Sequence, residues 1–205
     1  VMEYLEGRDL KSALHRHGTF PPERAIHVAV QICKSLREAH GKGMVHRDLK
    51  PANVVLVERD GDPDFVKVLD FGLVKATSTE RDQTQLTAHN AVPGTPAFMA
   101  PEVIEGDGEL GGAVDVYALG CVAYWLLTGR LLFEASTPIR MAMAHLHDPV
   151  SPLSEMSELP VPADLEALLR RCLEKQPQDR PTVAELRRAL EALEMTGWTE
   201  ERMQR

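Results

Sequence analysis

The sequence predicts a mainly α-helical domain carrying one short β-hairpin, and three observations support this. Apolar residues recur at helical spacing over much of the chain, most clearly over residues 23–40 and 165–173. Residues 113–128 are apolar nearly all round, the pattern of a helix buried on every side. Residues 54–57 and 65–69 read as two short strands, and the turn-rich Arg59-Asp60-Gly61-Asp62-Pro63 between them makes them a hairpin. A chain of 205 residues can bury one sizeable core or two small ones, and 43% hydrophobic with 26% charged residues is ordinary for a folded soluble domain. The net charge of -8 argues against a surface built for nucleic acid or anionic lipid, since either needs a basic face. Cys33, Cys121 and Cys172 are far apart, each inside an apolar helical pattern, so neither a zinc site nor a disulfide framework is expected and a reducing, cytoplasmic setting fits. The longest uncharged apolar run, residues 116–127, is too short to span a bilayer, so no membrane segment is expected in this chain. The chain opens on Val1 in a strand-like run, which reads as a piece of a longer protein that could be membrane-anchored elsewhere.

Taken in order, residues 1–5 are β-prone, and Glu6-Gly7-Arg8-Asp9 ends that strand as a loop. Asp9 then caps a short helix over residues 10–17, with Gly18 as its stop. The next helix, over residues 23–40, is entered through Pro21-Pro22 and left through Gly41 and Gly43. It buries Ala25, Ile26, Ala29, Ile32, Cys33, Leu36 and Ala39. It delivers a stretch that sets an acid, Asp48, an amine, Lys50, and an amide, Asn53, within six residues, with Pro51 fixing the turn between amine and amide. That is the composition of a catalytic loop. Asp48 could accept a proton from an attacking hydroxyl, Lys50 could neutralise a phosphoryl oxygen, and Asn53 could offer a hard oxygen ligand to Mg2+. The hairpin brings Asn53 at its start close to Asp70 at its end. There Asp70-Phe71-Gly72 supplies a carboxylate for a divalent cation, an aromatic anchor for the core and a glycine that lets the backbone switch.

Residues 77–93 are polar, lack a usable period and run longer than an ordinary connection, as functional or disordered loops do. The buried helix over residues 113–128 ends at Gly129, and its one acid, Asp115, lies near the N-terminus, where it can accept backbone N–H groups as a cap. Thr137-Pro138 starts a further helix through Met141, Met143 and Leu146. His145 and His147 lack the i, i+4 spacing of helical metal ligands, so they are expected to face solvent, as are His15 and His17. Leu165, Leu168, Leu169, Cys172 and Leu173 mark an amphipathic helix that Gln176-Pro177-Gln178-Asp179-Arg180-Pro181 breaks. Thr182 with Glu185 then forms a capping box for a last helix carrying Leu186, Ala189, Leu190 and Leu193.

His46-Arg47-Asp48-Leu49-Lys50-Pro51-Ala52-Asn53 resembles the catalytic loop of protein kinases, Asp70-Phe71-Gly72 resembles their metal-binding motif, and residues 94–102 resemble the end of their activation segment. The resemblance covers residues 1–193 and is nearest to bacterial-type (Hanks-type) serine/threonine protein kinases, from the hinge through the C-terminal lobe. It implies a protein kinase-like fold, with the lobe over residues 1–195, a charged tail over 196–205, and an N-terminal lobe of the same protein absent from this chain. ATP and Mg2+ are the implied cofactors, and proteins with Ser or Thr hydroxyls the implied substrates. In that likeness the backbones of Glu3 and Leu5 hold adenine, Met2 is the gatekeeper, Asp9 holds the ribose and Val55 forms the adenine floor. Asp48 would orient and deprotonate the hydroxyl, Lys50 would stabilise the phosphoryl group, Asn53 and Asp70 would bind Mg2+, and Thr95 would bond Asp48 and Lys50. Arg47 would meet a phosphate on the activation segment, on Thr87 first or Thr84 second, with His89 standing where a second regulatory threonine would be. His46 and Phe71 would be structural. Asp115 would grip the backbone of the His46–Arg47 turn, the alternative being a plain helix cap, and Arg180 would pair with Glu102. The chain alone is expected to fold without catalysing. The alternative reading is a pseudokinase or a non-catalytic module that presents the helical lobe to a partner.

Overall fold

The computed structural model describes residues 6–71, 96–106 and 110–193. Over them the chain forms three strands and eight α-helices: β1 (Gly7–Asp9), α1 (Leu10–His17), α2 (Pro22–Gly41), β2 (Val54–Arg59), β3 (Asp62–Val68), α3 (Pro101–Glu105), α4 (Ala113–Thr128), α5 (Pro138–His147), α6 (Leu153–Met156), α7 (Ala163–Cys172) and α8 (Val183–Leu193). The mainly helical class with a small antiparallel sheet is as expected. No helix among the described residues is long and apolar enough to cross a membrane.

The helical core forms around α4. Eleven of its sixteen residues carry no side-chain nitrogen or oxygen, and every position from Val114 to Thr128 except Trp125 is buried, so α4 is enclosed by its neighbours and not amphipathic. Helix α2 packs against both α4 and α8, while α7 packs against α4. Each of these outer helices contributes the apolar stripe read from the sequence, with Leu36, Leu165, Leu186 and Leu190 almost fully enclosed. Cys33, Cys121 and Cys172 are buried free thiols, and burial pushes the Cys172 thiol up to about 12, so it behaves as a small apolar group. Local stops follow the chemistry of the caps. Asp9 accepts from the Ser12 amide at 2.9 Å at the head of α1, Thr137 caps α5, and Glu185 and Thr182 close the reciprocal box at the head of α8.

The sheet differs from expectation at its edge. Gly7–Asp9 is a strand and not the loop anticipated for residues 6–9: it pairs antiparallel with β2, Gly7 opposite Val57 and Asp9 opposite Val55. Gly7 permits this, because a Cβ there would run into the Leu56 carbonyl oxygen. The β2–β3 turn is also tighter than expected. Asp60 and Gly61 both hold positive φ, 52° and 81°, the combination of a two-residue type I′ turn, so the strands extend to Arg59 and restart at Asp62. The outer edge of β3 is covered by α2. The Gln31 amide accepts from the Val66 N–H at 3.0 Å and donates to the Asp64 carbonyl at 2.9 Å, taking the place of a fourth strand. Beside it Arg24 binds the buried Asp64 carboxylate through two hydrogen bonds of 2.7 and 2.9 Å and lies over the Phe20 ring.

His145 corrects a second expectation. It is fully buried, with Nδ1 2.8 Å from the Tyr117 hydroxyl and its ring edge-on to Phe133, whereas His15, His17 and His147 are exposed as anticipated. Its position four residues after the buried Met141 puts it on the inward face of α5. Burial, and secondarily the Lys175 ammonium, push its pKa down to about 4, with the Ala97 backbone pulling back only in part. An unfolded histidine titrates near 6.5, so on acidification the unfolded chain takes up this proton first. The stabilisation from a neutral His145 is therefore complete above about pH 6.5 and is lost progressively down to about pH 4, on the order of 3 kcal/mol across that window. Urea unfolding between pH 7 and 4 should show that slope in the wild-type chain and a flatter one in His145→Gln; parallel curves would contradict the assignment.

Candidate active site

Three elements converge on the acid, amine and amide loop: the end of α2, the N-terminus of α4, and the β2–β3 hairpin. Residues Met44 to Lys50 carry no regular structure, so side chains and not a backbone ladder must fix them. Asp115, fully buried in the first turn of α4, does most of this. It accepts from the His46 amide at 2.9 Å, from the Arg47 amide at 2.8 Å and from His40 Nε2 at 2.7 Å. The first two bonds hold Arg47 at φ 63°, a left-handed conformation that a non-glycine residue seldom adopts without such support. Asp115 therefore grips the turn and does more than cap its own helix.

His46 is the second fastening. Its Nε2 lies 2.8 Å from the Leu69 carbonyl, and its Nδ1 accepts from the Asp48 amide at 3.2 Å, which fixes the neutral Nε2–H tautomer. Its ring packs edge-on to Phe71, 4.8 Å between centroids, so one buried imidazole ties the loop to the residues on either side of Asp70. Asn53 completes the closure. Its Nδ2 donates to the Asp48 carbonyl at 2.8 Å, and its own carbonyl accepts from the Leu69 amide at 2.8 Å. With Val54 opposite Val68, the two ends of the hairpin bring Asn53 against Leu69, the residue before Asp70. Asp70, like Arg47, has positive φ, 55°, and its side chain is exposed.

The exposed face of this scaffold carries the chemistry. Asp48 Oδ2 accepts from Lys50 Nζ at 2.8 Å and from Asn53 Nδ2 at 3.2 Å, so acid and amine stand at one open surface. Because the Asn53 nitrogen is spent on Asp48, its Oδ1 is left as an acceptor, and the exposed Asp70 follows Leu69, whose amide the Asn53 backbone carbonyl holds. Such hard oxygens, amide and carboxylate, fit Mg2+ that shares its remaining positions with water and phosphate. No cluster of three or more His, Cys, Asp or Glu able to hold a metal occurs among the described residues. Val55 is half-exposed on the sheet, between Asp9 and Lys67. Asp9 spends both carboxylate oxygens on Ser12; burial opposes its charge, but these bonds outweigh it and hold its pKa below the usual range. The Arg47 guanidinium is exposed, without a carboxylate partner among the described residues. Met2, Glu3, Leu5, Gly72, Thr84, Thr87, His89 and Thr95 lie outside the described residues.

Behind the site Arg180 and Glu102 form a buried bidentate pair, 2.7 and 2.9 Å. Arg180 also donates to the carbonyls of Ala113, Glu174 and Lys175, which uses all five of its N–H groups, and its guanidinium lies over the Tyr117 ring. The short helix α3 is thereby bolted to the start of α4. His40 is the residue that the sequence reading passed over; its spacing of four from Leu36 on the buried face of α2 was the available signal.

A family model described as protein kinase domain matches residues 1–190, and the chain belongs to the protein kinase family. Among curated relatives it is 40% identical over 186 residues to serine/threonine-protein kinase pkn3 of Myxococcus xanthus, covering 90% of this chain and 34% of that protein. It is 37% identical over 188 residues to serine/threonine-protein kinase PknB of Mycobacterium leprae, covering 91% of this chain and 29% of that protein. The chain thus spans about a third of the length of the curated relatives it matches. The crystal structure of Rad53 1-466 in complex with AMP-PNP superposes with a TM-score of 0.73 at 29% identity, covering 95% of this chain and 46% of that one.

Removing either member of the Arg180–Glu102 pair should cost the fold roughly 3 to 5 kcal/mol, because the other charge is stranded. Replacing both by Met should recover only part of that loss, since three carbonyls remain without the arginine. Denaturant unfolding of Arg180→Met, Glu102→Met and the double variant measures this; full recovery in the double variant would contradict it.

Proposed function

We propose that this chain is the hinge and C-terminal lobe, over residues 1–195, of a serine/threonine protein kinase that transfers the γ-phosphoryl group of ATP to Ser or Thr hydroxyls of protein substrates. The observation that carries the reading is the open surface where Lys50 Nζ and Asn53 Nδ2 both meet the exposed Asp48 carboxylate, on a loop that buried His46 ties to Leu69, the residue before Asp70. Asp48 would take the proton of the attacking hydroxyl, aligned with the transferring phosphorus. The Lys50 ammonium, already against Asp48, would meet the negative charge that develops on the phosphoryl oxygens. Asn53 Oδ1 and the Asp70 carboxylate would hold Mg2+, which when bound supplies neutralisation of the phosphate charge. Glu3, Leu5 and Val55 would line the adenine site, and Asp9 would share its carboxylate between Ser12 and the ribose. Arg47, whose exposed guanidinium pairs with no carboxylate among the described residues, would receive a regulatory phosphate from Thr87 or Thr84. Thr95 would bond Asp48 and Lys50.

Positioning and electrostatic stabilisation supply nearly all of the rate in phosphoryl transfer, so the chain needs a second lobe over the phosphates. The 205-residue chain alone should fold cooperatively and transfer no phosphate above its Asp48→Asn control. In a protein that joins this chain to its upstream lobe, Asp70→Asn should abolish transfer while leaving the unfolding midpoint unchanged, read by radiolabel incorporation into a Ser/Thr peptide mixture. Turnover like wild type by Asp70→Asn at ordinary Mg2+ would remove the metal-ligand assignment, and robust transfer by the isolated chain would remove the need for a second lobe.

A further inference from the structure

A cavity of about 650 Å3, lined by residues outside the acid, amine and amide loop, opens where β1 and the β2–β3 hairpin meet α1 and the start of α2. That volume lies within the range of small-molecule sites, roughly 300 to 1,000 Å3. Leu56 and Ala13 make its inner surface apolar, and charged side chains of both signs line the rest.

At one end two groups that can both be cations face each other. Arg8 Nη1 lies 3.5 Å from His17 Nε2, a long contact that only a neutral imidazole can accept. Arg8 pairs with no carboxylate among the described residues. Arg24, in the same lining, is fixed in place by two hydrogen bonds to Asp64 and by the Phe20 ring beneath it. Partial burial, and then the guanidinium groups of Arg24, Arg16 and Arg8, hold the His17 pKa below the ordinary histidine value, against the pull of Asp64. This end is thus electropositive in a chain of net charge -8. An oxyanion between Arg8 and His17 would accept from the guanidinium and, once His17 takes up a proton, from the imidazolium too.

The opposite sign lies along the sheet. Gly7 stands opposite Val57, so Glu6 and Glu58 come level on neighbouring strands, two like charges that repel each other and disfavour an anion beside them. Around His17 the charged groups are therefore Glu6 and Arg8 at β1, Arg16 on its own helix, Arg24 from α2, Glu58 from β2 and Asp64 from β3.

We propose that this cavity binds a small molecule that presents one oxyanion, phosphate monoester or carboxylate, to Arg8 and His17 and lays an apolar body over Leu56 and Ala13. Binding here uses none of the residues assigned to phosphoryl transfer.

Phenyl phosphate and benzoate are the probes, titrated into the 205-residue chain and followed by the resonances of Gly7, Arg8 and His17. At least one should give saturable shifts there, and the tighter of the two tells phosphate from carboxylate as the preferred group. Arg8→Gln should weaken that probe about tenfold, as loss of a charge-assisted hydrogen bond implies. Glu58→Gln should strengthen it about twofold. Lys42→Gln, which removes a cation paired with Glu38 at the far end of α2, should leave it unchanged. Because a bound anion favours the imidazolium, the advantage of wild type over His17→Asn should grow several-fold from about pH 8 to about pH 6, a comparison in which protonation of the probe itself cancels. No saturable shift with either probe, equal weakening by Arg8→Gln and Lys42→Gln, or a wild-type advantage that stays constant with pH overturns the proposal. Binding is read directly, so the result stands whether or not the chain transfers phosphate.

Discussion

A carboxylate taken wholly out of water costs several kcal/mol unless its lone pairs are filled, and Asp115 sits at zero exposure inside the most apolar helix among the described residues. Its position is tolerable only because the His46 and Arg47 amides and His40 come to it. The constraint works in both directions. The loop after α2 has no strand or helix of its own to satisfy its amides, and α4 has an acid with no partner in its own turn, so each completes the other. From this follow the left-handed Arg47, the direction in which Asp48 leaves the loop, and the burial of His46 beneath Leu69 and Phe71.

Around that contact the polar interior forms two further connected groups. On one side of α4, Glu102, Arg180, Tyr117 and His145 run as a chain of ion pair, cation over ring and hydrogen bond, linking α3 to α5 through the core. On the other, Arg24, Gln31 and Asp64 seat β3 on α2. Their aliphatic neighbours provide most of the burial, but the polar groups specify one arrangement among the many that apolar helices could adopt, since each must find its partner or pay for its desolvation. The exposed residues of the site are thereby carried on parts that have little freedom to move. That is how a surface with no regular secondary structure can present an acid, an amine and an amide in fixed relation.

Helix extents, caps and the Asp48, Lys50, Asn53 constellation were legible in the sequence because they depend on neighbours a few residues apart: Asp9 with Ser12, Thr182 with Glu185, Asn53 with Asp48. What escaped depends on distant partners. β1 is a strand only because β2, nearly fifty residues later, offers an edge at Gly7, and three residues give periodicity nothing to act on. His145 looked like a solvent-facing residue at a helix end, and its burial follows from Tyr117 and Phe133 on other segments. The link from His40 to Asp115 spans seventy-five residues, and a histidine near a helix C-terminus has a simpler local explanation in the helix dipole. The Asp115 grip on the loop came from family likeness and not from spacing.

One buried carboxylate fixes the loop, while the rest of the fold is held by its apolar packing and by the two polar groups that do not touch that loop. Backbone amide chemical shifts of an Asp115→Asn chain test this most directly, because Asn keeps the shape while losing the charge and one acceptor oxygen. The account predicts large changes confined to His40, His46, Arg47, Asp48 and Asn53, with β2–β3, α7 and α8 unmoved. Shifts spread evenly through the helical core, or none at the loop, would contradict it.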